Sequence, residues 1–176
     1  FDAVEIVLRS LWKSKRKVLL FCDDIDCLRI AHSFLSINGL DVLPSIHMKM
    51  PHQEREQIFK IFNDCDGPCI LPISRVGDDA IDLPDASAIV IMWNRWKSRR
   101  QIIQRIGRVS RPGRNAIVMV ILSNYEKELN VHEYRANYLK EQNYTFITQN
   151  FEDTIFGADF KLRKSCIPRR EKAVID

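Results

Sequence analysis

Between Asn94 and Arg114 the chain carries eight basic residues and no acidic one. At its centre runs Gln104-Arg105-Ile106-Gly107-Arg108-Val109-Ser110-Arg111. Arg108 and Arg111 stand three apart, so at a helix end their heads point the same way. Gly107 leaves room for close backbone approach. Two guanidinium forks on one side suit phosphate oxygens, which they grip by charge-assisted hydrogen bonds. In phosphoryl transfer such arginines neutralise charge on the transferring γ-phosphate, and one of them is worth about 10³–10⁵ in rate. The same residues would also serve as a solvated basic helix face or a helix-end ion-pair cluster.

Other groupings look chemical but lack their partners. Phe21-Cys22-Asp23-Asp24-Ile25-Asp26 is acidic after an apolar run, as in magnesium-dependent phosphatases or a Walker B strand. Gly77-Asp78-Asp79 mimics a polymerase motif. The chain has no G-x-x-x-x-G-K-[S/T] and no Gly-Lys pair, so it supplies no phosphate cradle. Asp23 and Asp24 are expected to cap the helix that follows. Cys65 and Cys69 have the spacing of half a zinc site, but no second Cys/His pair follows, so no metal site is expected and buried thiols beside a turn are. Cys22, Cys27 and Cys166 complete an odd set of five cysteines, which favours a reducing compartment.

The elements that must position these residues can be read from periodicity. Val4, Val7, Leu8, Leu11 and Trp12 predict an amphipathic helix over 2–13. Apolar runs at Val18–Cys22, Cys69–Ile73, Ala88–Met92 and Ala116–Leu122 predict strands buried on both faces, and Asp41–Ile46 is expected as a further strand. A short strand is expected over Tyr144–Thr148. Helices are expected over about 25–37, 51–63, 98–107 and 125–142, with Pro51 at a first position, Asn38-Gly39 as a stop, and Ser98 and Gln101 as a capping box. Alternating strands and helices argue an α/β fold in three layers, a mostly parallel sheet with helices on both faces. Ligands of such folds sit at the carboxyl ends of the strands.

Four stretches together resemble the second, RecA-like lobe of superfamily two helicases. Gln104–Arg111 is similar to motif VI, Val18–Cys22 to the motif IV strand, and Ile73–Pro84 to motif V. His47, with Met50–Arg55 and Ile58–Phe62 after it, resembles the segment after motif IV in which a His is followed by Gln, Arg and Phe. Within that superfamily Ser74–Asp78, Asp82–Pro84, Ser98–Gln101, Gln104–Val109 and Tyr138–Tyr144 resemble the XPB family of DNA translocases. The likeness covers about residues 15–150. Trp93-Asn94-Arg95-Trp96-Lys97 stands where that family has a Gly/Ser-rich stretch.

The resemblance implies an α/β RecA-like domain over 1–150 (motifs IV, V and VI), followed by a C-terminal extension over 151–176. It implies that Gln104, Arg108 and Arg111 act in ATP hydrolysis, with Arg108 and Arg111 as arginine fingers. Asp82 would join Arg108 and Arg111 in binding ATP, against a turn aspartate before Pro84. Ser74 and Gly77 would hold a nucleic-acid phosphate, against a simple strand-end turn. His47 and Arg55 would touch the strand or brace the lobe. Arg105 is expected to pair with acids inside the lobe. Trp93 and Trp96 would stack on bases or face a neighbouring domain. ATP and Mg2+ would be bound mainly by a first RecA-like lobe of the same polypeptide, which would carry the phosphate loop. The other implied partners are DNA and subunits of a transcription and repair complex, in the nucleus. The competing expectations are an ATPase-inactive nucleic-acid-binding or scaffold lobe, a viral transcription helicase in a cytoplasmic factory, or an α/β phosphatase using Asp23 and Asp26.

Composition bounds these readings. The chain has 176 residues, 45% hydrophobic and 28% charged, with a net charge of +4. That is one domain of ordinary size. No apolar run approaches the roughly 18–20 residues that cross a bilayer, so no membrane partner is expected. Acids near the start and no basic n-region argue against a signal peptide. A first residue Phe1 points to a piece of a longer protein. Lys161, Arg163, Lys164, Arg169, Arg170 and Lys172 form a basic tail, a nuclear address or DNA-contacting arm against a solvated disordered tail.

Overall fold

The computed structural model describes residues 2–74, 86–92, 106, 117–123 and 125–141. They form α1 (Asp2–Lys13), β1 (Val18–Cys22), α2 (Ile25–Ile37), α3 (His52–Asp64), β2 (Ile70–Ile73), β3 (Ala88–Met92), β4 (Ile117–Val120) and α4 (Glu126–Glu141). The four strands make one sheet in the order β2-β1-β3-β4, with every pairing parallel. β1 is central: Val18 pairs with both Ile70 and Ala88, and Phe21 with both Ile73 and Ile91.

Continuous burial of β1 and β3 follows from cover on both faces. Alternate residues of a strand point to opposite faces. Leu19, Phe21, Leu71, Ile73, Ile89 and Ile91 share one apolar layer with Ile58 and Phe62 of α3 and with Ile106, and Leu139 of α4 packs against it. Val18, Leu20, Cys22, Val90 and Met92 share the other layer with Leu8 and Leu11 of α1 and Leu28, Ala31 and Leu35 of α2. The buried stripe of α2 is narrow, and Ile30 and Ile37 of the same helix are exposed. The parallel three-layer arrangement expected from the apolar runs is therefore present.

The expected strand Asp41–Ile46 is not continuous. Its contact with β2 is reduced to two isolated parallel bridges, Val42 with Ile70 and Ile46 with Ile73. On β2 the N–H groups of Ile70 and Ser74 donate to the Asp41 and Ile46 carbonyls, but Pro72 between them has no N–H to give, and the register slips by one residue between the two bridges. The N–H groups of Leu43 and Ile46 still donate to Ile70 and Pro72 at 2.8 and 2.9 Å. The segment is thus a broken edge. Smaller departures concern ends. α3 begins at His52, with Pro51 as its N-cap residue. β2 begins at Ile70, although the Cys69 carbonyl accepts from the Val18 N–H at 2.9 Å. The expected helix over 98–107 is described at Ile106 alone, which is helical. The expected strand Tyr144–Thr148, both Trp93 and Trp96, and the extension 151–176 lie outside the described residues.

Candidate functional site

Because all four strands run the same way, their carboxyl ends lie along one edge, the place where ligands of open parallel sheets bind. Cys22 is level with Met92, and Phe21 with Ile73. The residues that follow are Asp23 after β1 and Ser74 after β2. Of the residues expected to touch nucleic acid, Ser74, His47 and Arg55 are described.

Ser74 is 3% exposed, the buried polar residue among those described. Its N–H donates to the Ile46 carbonyl at 2.9 Å, extending the broken edge by one bond past β2. That bond sets Ser74 beside His47. The His47 carbonyl then accepts from the Met50 N–H at 3.0 Å, a tight turn that delivers the chain to α3. Arg55 lies in the first turn of α3, its N–H donating to the Pro51 carbonyl at 3.2 Å. It precedes Ile58 and Phe62 by three and seven residues, so it shares their inward side of the helix.

Two nitrogens at this corner are buried and have no hydrogen-bond partner among the described residues: His47 Nδ1 and Arg55 Nε. Leaving such a group unsatisfied costs about 1–3 kcal/mol, and native structures rarely do so without reason. A guanidinium, an imidazole and a hydroxyl are together rich in donors. A phosphate diester, which offers acceptors alone, is the ligand class they fit.

The acidic stretch after β1 divides its work. Asp24, with an extended backbone, is the N-cap of α2, and its Oδ1 accepts from the N–H groups of Asp26 and Cys27 at 3.0 Å each. Asp23 does not share that role and has its Oδ2 shut off from solvent. Cys22 Sγ donates to the Asp24 carbonyl at 3.4 Å, and burial pushes its thiol up to about 12. Cys69 is buried in the core and its thiol is likewise raised by burial to about 12, while Cys65 Sγ donates to the Gly67 carbonyl at 3.5 Å. Among the described residues no three His, Cys, Asp or Glu side chains meet in a way that would hold a metal ion. A magnesium ion accompanying a nucleotide would find no ready-made ligand set there.

Ile106 is 4% exposed and packs in the layer of Phe21, Ile73 and Ile91. One apolar residue of the basic stretch is thereby anchored on the sheet. Gln104, Arg108, Arg111, Asp82 and Gly77 lie outside the described residues.

Comparison with known proteins adds the remaining evidence. The family model for the ERCC3/RAD25/XPB C-terminal helicase matches residues 1–161. A DNA repair helicase/translocase XPB-R from Trypanosoma brucei brucei is 31% identical over 156 residues, which are 84% of this chain and 19% of that protein. The general transcription and DNA repair factor IIH helicase/translocase subunit XPB of Antonospora locustae is 30% identical over 164 residues, 88% of this chain and 23% of that protein. The chain thus spans about a fifth of the length of these relatives. The C-terminal domain of the DEAD-box protein Dbp5 superimposes with a TM-score of 0.67, covering 80% of this chain and 79% of that one at 18% identity. That likeness identifies the fold as a RecA-like helicase C-terminal domain.

Proposed function

The chain belongs to the ERCC3/RAD25/XPB C-terminal helicase family, and from that premise we propose that it is the second motor lobe of an ATP-dependent DNA helicase or translocase acting in transcription initiation and nucleotide excision repair. Its workplace is the nucleus, and its partners are DNA, a first RecA-like lobe of the same polypeptide, and other subunits of a transcription and repair complex. The first lobe holds ATP with its Mg2+. This lobe completes the site when the two close. Arg108 and Arg111 neutralise the charge that grows on the γ-phosphate, Gln104 orients the attacking water, and Asp82 steadies the nucleotide or a finger. The other hand of the lobe grips the DNA backbone through Ser74, Gly77, His47 and Arg55, contacts that fix register without reading sequence. Alternating closure and opening moves that grip along the strand.

The observation that carries this reading is the donor-rich corner at the carboxyl end of β2. There a backbone bond from Ser74 to Ile46 sets Ser74 beside His47, the chain turns into the helix that carries Arg55, and His47 Nδ1 and Arg55 Nε are buried without partners among the described residues. The family resemblance implies phosphate contact for Ser74, and for His47 and Arg55 either contact with the strand or bracing of the lobe. The test is the salt dependence of DNA binding by the full-length protein. Arg55→Ala should weaken binding uniformly across sequences and reduce the slope of log K against log[salt] by about one. An unchanged slope with unchanged affinity would remove the corner from the DNA interface.

A further inference from the structure

Cys65 and Cys69 bracket the turn Asp66-Gly67-Pro68 that joins α3 to β2. Cys65 is the C-cap residue of α3, and Cys69 stands one residue before β2. The Cys65 thiol folds back over the turn and donates to the Gly67 carbonyl at 3.5 Å. It is also in hydrogen-bond contact with the Cys69 thiol. Cys69 is buried in the apolar layer beneath α3, and the half-buried Cys65 packs against that layer. Both are free thiols, and the motor-lobe reading gives neither any work. A disulfide brings its sulfurs to about 2.05 Å, and thiols already in contact need little movement to reach it. Here the movement falls on turn residues, outside both helix and strand. A second contacting pair, Cys22 with Cys27, is built in more firmly: Cys22 is a residue of β1, and the Cys27 N–H is held by the Asp24 cap. Closing that pair would pull on the strand and the cap.

We propose that Cys65 and Cys69 form a redox modification site, which a hydroperoxide converts to an intrachain disulfide fastening the end of α3 to the start of β2. Cys65, the more accessible thiol, meets the oxidant. Its sulfur attacks one peroxide oxygen and the O–O bond breaks, giving a sulfenic acid and, from hydrogen peroxide, one water. The Cys69 sulfur then attacks the Cys65 sulfur. The S–O bond breaks, and a second water leaves with the Cys69 proton. Two thiols have lost two electrons and two protons, and the peroxide has taken them up as two waters. Burial pushes the Cys69 thiol up to about 12, which makes it a poor first target and leaves it for the second step, against a sulfur it already touches. A dithiol reductant reopens the bond by exchange. In a reducing compartment such a bond is transient, the form that redox-sensing pairs take.

Trypsin releases this pair on one peptide, residues 61–75, and Cys22 with Cys27 on another, residues 18–29. The test treats the folded full-length protein with graded hydrogen peroxide, alkylates it after denaturation and maps the peptides by mass spectrometry, with and without prior reduction by dithiothreitol. Peptide 61–75 should lose two hydrogen atoms and take no alkyl group, and reduction should restore both alkylation sites. At the same dose peptide 18–29 should remain in its dithiol form. Cys65→Ser should leave Cys69 a thiol, and Cys69→Ala should strand Cys65 as a sulfenic acid that dimedone traps. Amide exchange across Ile70–Ile73 should slow in the oxidised protein, as expected of a fastened joint. If Cys69→Ala proves unstable, the map of the unsubstituted protein decides alone. Cys65 driven on to a sulfinic acid beside a Cys69 still reduced would overturn the proposal. So would a bond from Cys65 to any other cysteine, closure of Cys22 with Cys27 at a lower dose, or both thiols intact at the dose that oxidises an unfolded control. None of these readouts depends on ATP turnover, so the motor-lobe reading stands or falls separately.

Discussion

Asp24 caps α2 by accepting two N–H groups with one carboxylate oxygen. Its replacement by alanine strips both bonds and should cost about 1 kcal/mol, read as a lowered urea midpoint with an unchanged denaturant slope. Cys22 and Cys69 make a different kind of prediction. Burial raises both thiols from 9.0 to about 12, so the folded state holds these protons more tightly than the unfolded chain does. Their contribution to stability is whole below pH 9 and is lost as pH climbs from there towards 12. Alkaline unfolding of the double variant Cys22→Ala/Cys69→Ala should therefore fall less steeply over that window than that of the parent. Equal slopes would show that the two thiols titrate alike in both states. His47 and Arg55 were legible as candidates because a motif fixes their spacing. Spacing alone could not show that each buries a nitrogen unpartnered among the described residues, since that depends on the turn from His47 to Met50 and on how α3 is set down.

At the scale of elements, β1 and β3 were readable because a strand covered on both faces has no polar side to hide, and Val18–Cys22 and Ala88–Met92 are unbroken apolar runs. The Asp41–Ile46 segment misled for a physical reason. Val42, Leu43 and Ile46 suggest a strand, yet the donor missing from the ladder is on its partner: Pro72 of β2 has no N–H to give, and two bridges are left. α2 shows a related limit: Leu28, Ala31 and Leu35 are buried, while the equally apolar Ile30 and Ile37 face outward, a matter of rotation that the residue list does not fix. The layer under α3 is the most consequential packing. Phe62 is fully buried there, between the broken edge and the sheet, with Lys17 Nζ 5.2 Å from its ring centre. Phe62→Ala should cost about 3–5 kcal/mol, seen as a drop in thermal midpoint. A loss under about 1 kcal/mol would mean that the layer collapses to fill the gap.

The described residues form a parallel sheet whose carboxyl ends bring together distant stretches of sequence: Ser74 beside His47 after β2, and Asp23 after the central β1. The fold class was legible because strand–helix alternation leaves few topologies open. The proposed arginine site stands in the sequence as a motif, and of that motif the described residues include Ile106 alone. The chain spans about a fifth of the length of these relatives, so the proposed activity is to be tested on a full-length protein. The most direct measurement is DNA-stimulated ATP turnover by the full-length protein carrying Arg108→Ala, with DNA and ATP binding followed on the same sample. Loss of turnover by about 10³-fold or more, with both ligands still bound, is the predicted result. Turnover close to that of the parent would contradict the assignment of Arg108 as a finger, and with it the account of this chain as the lobe that completes the site.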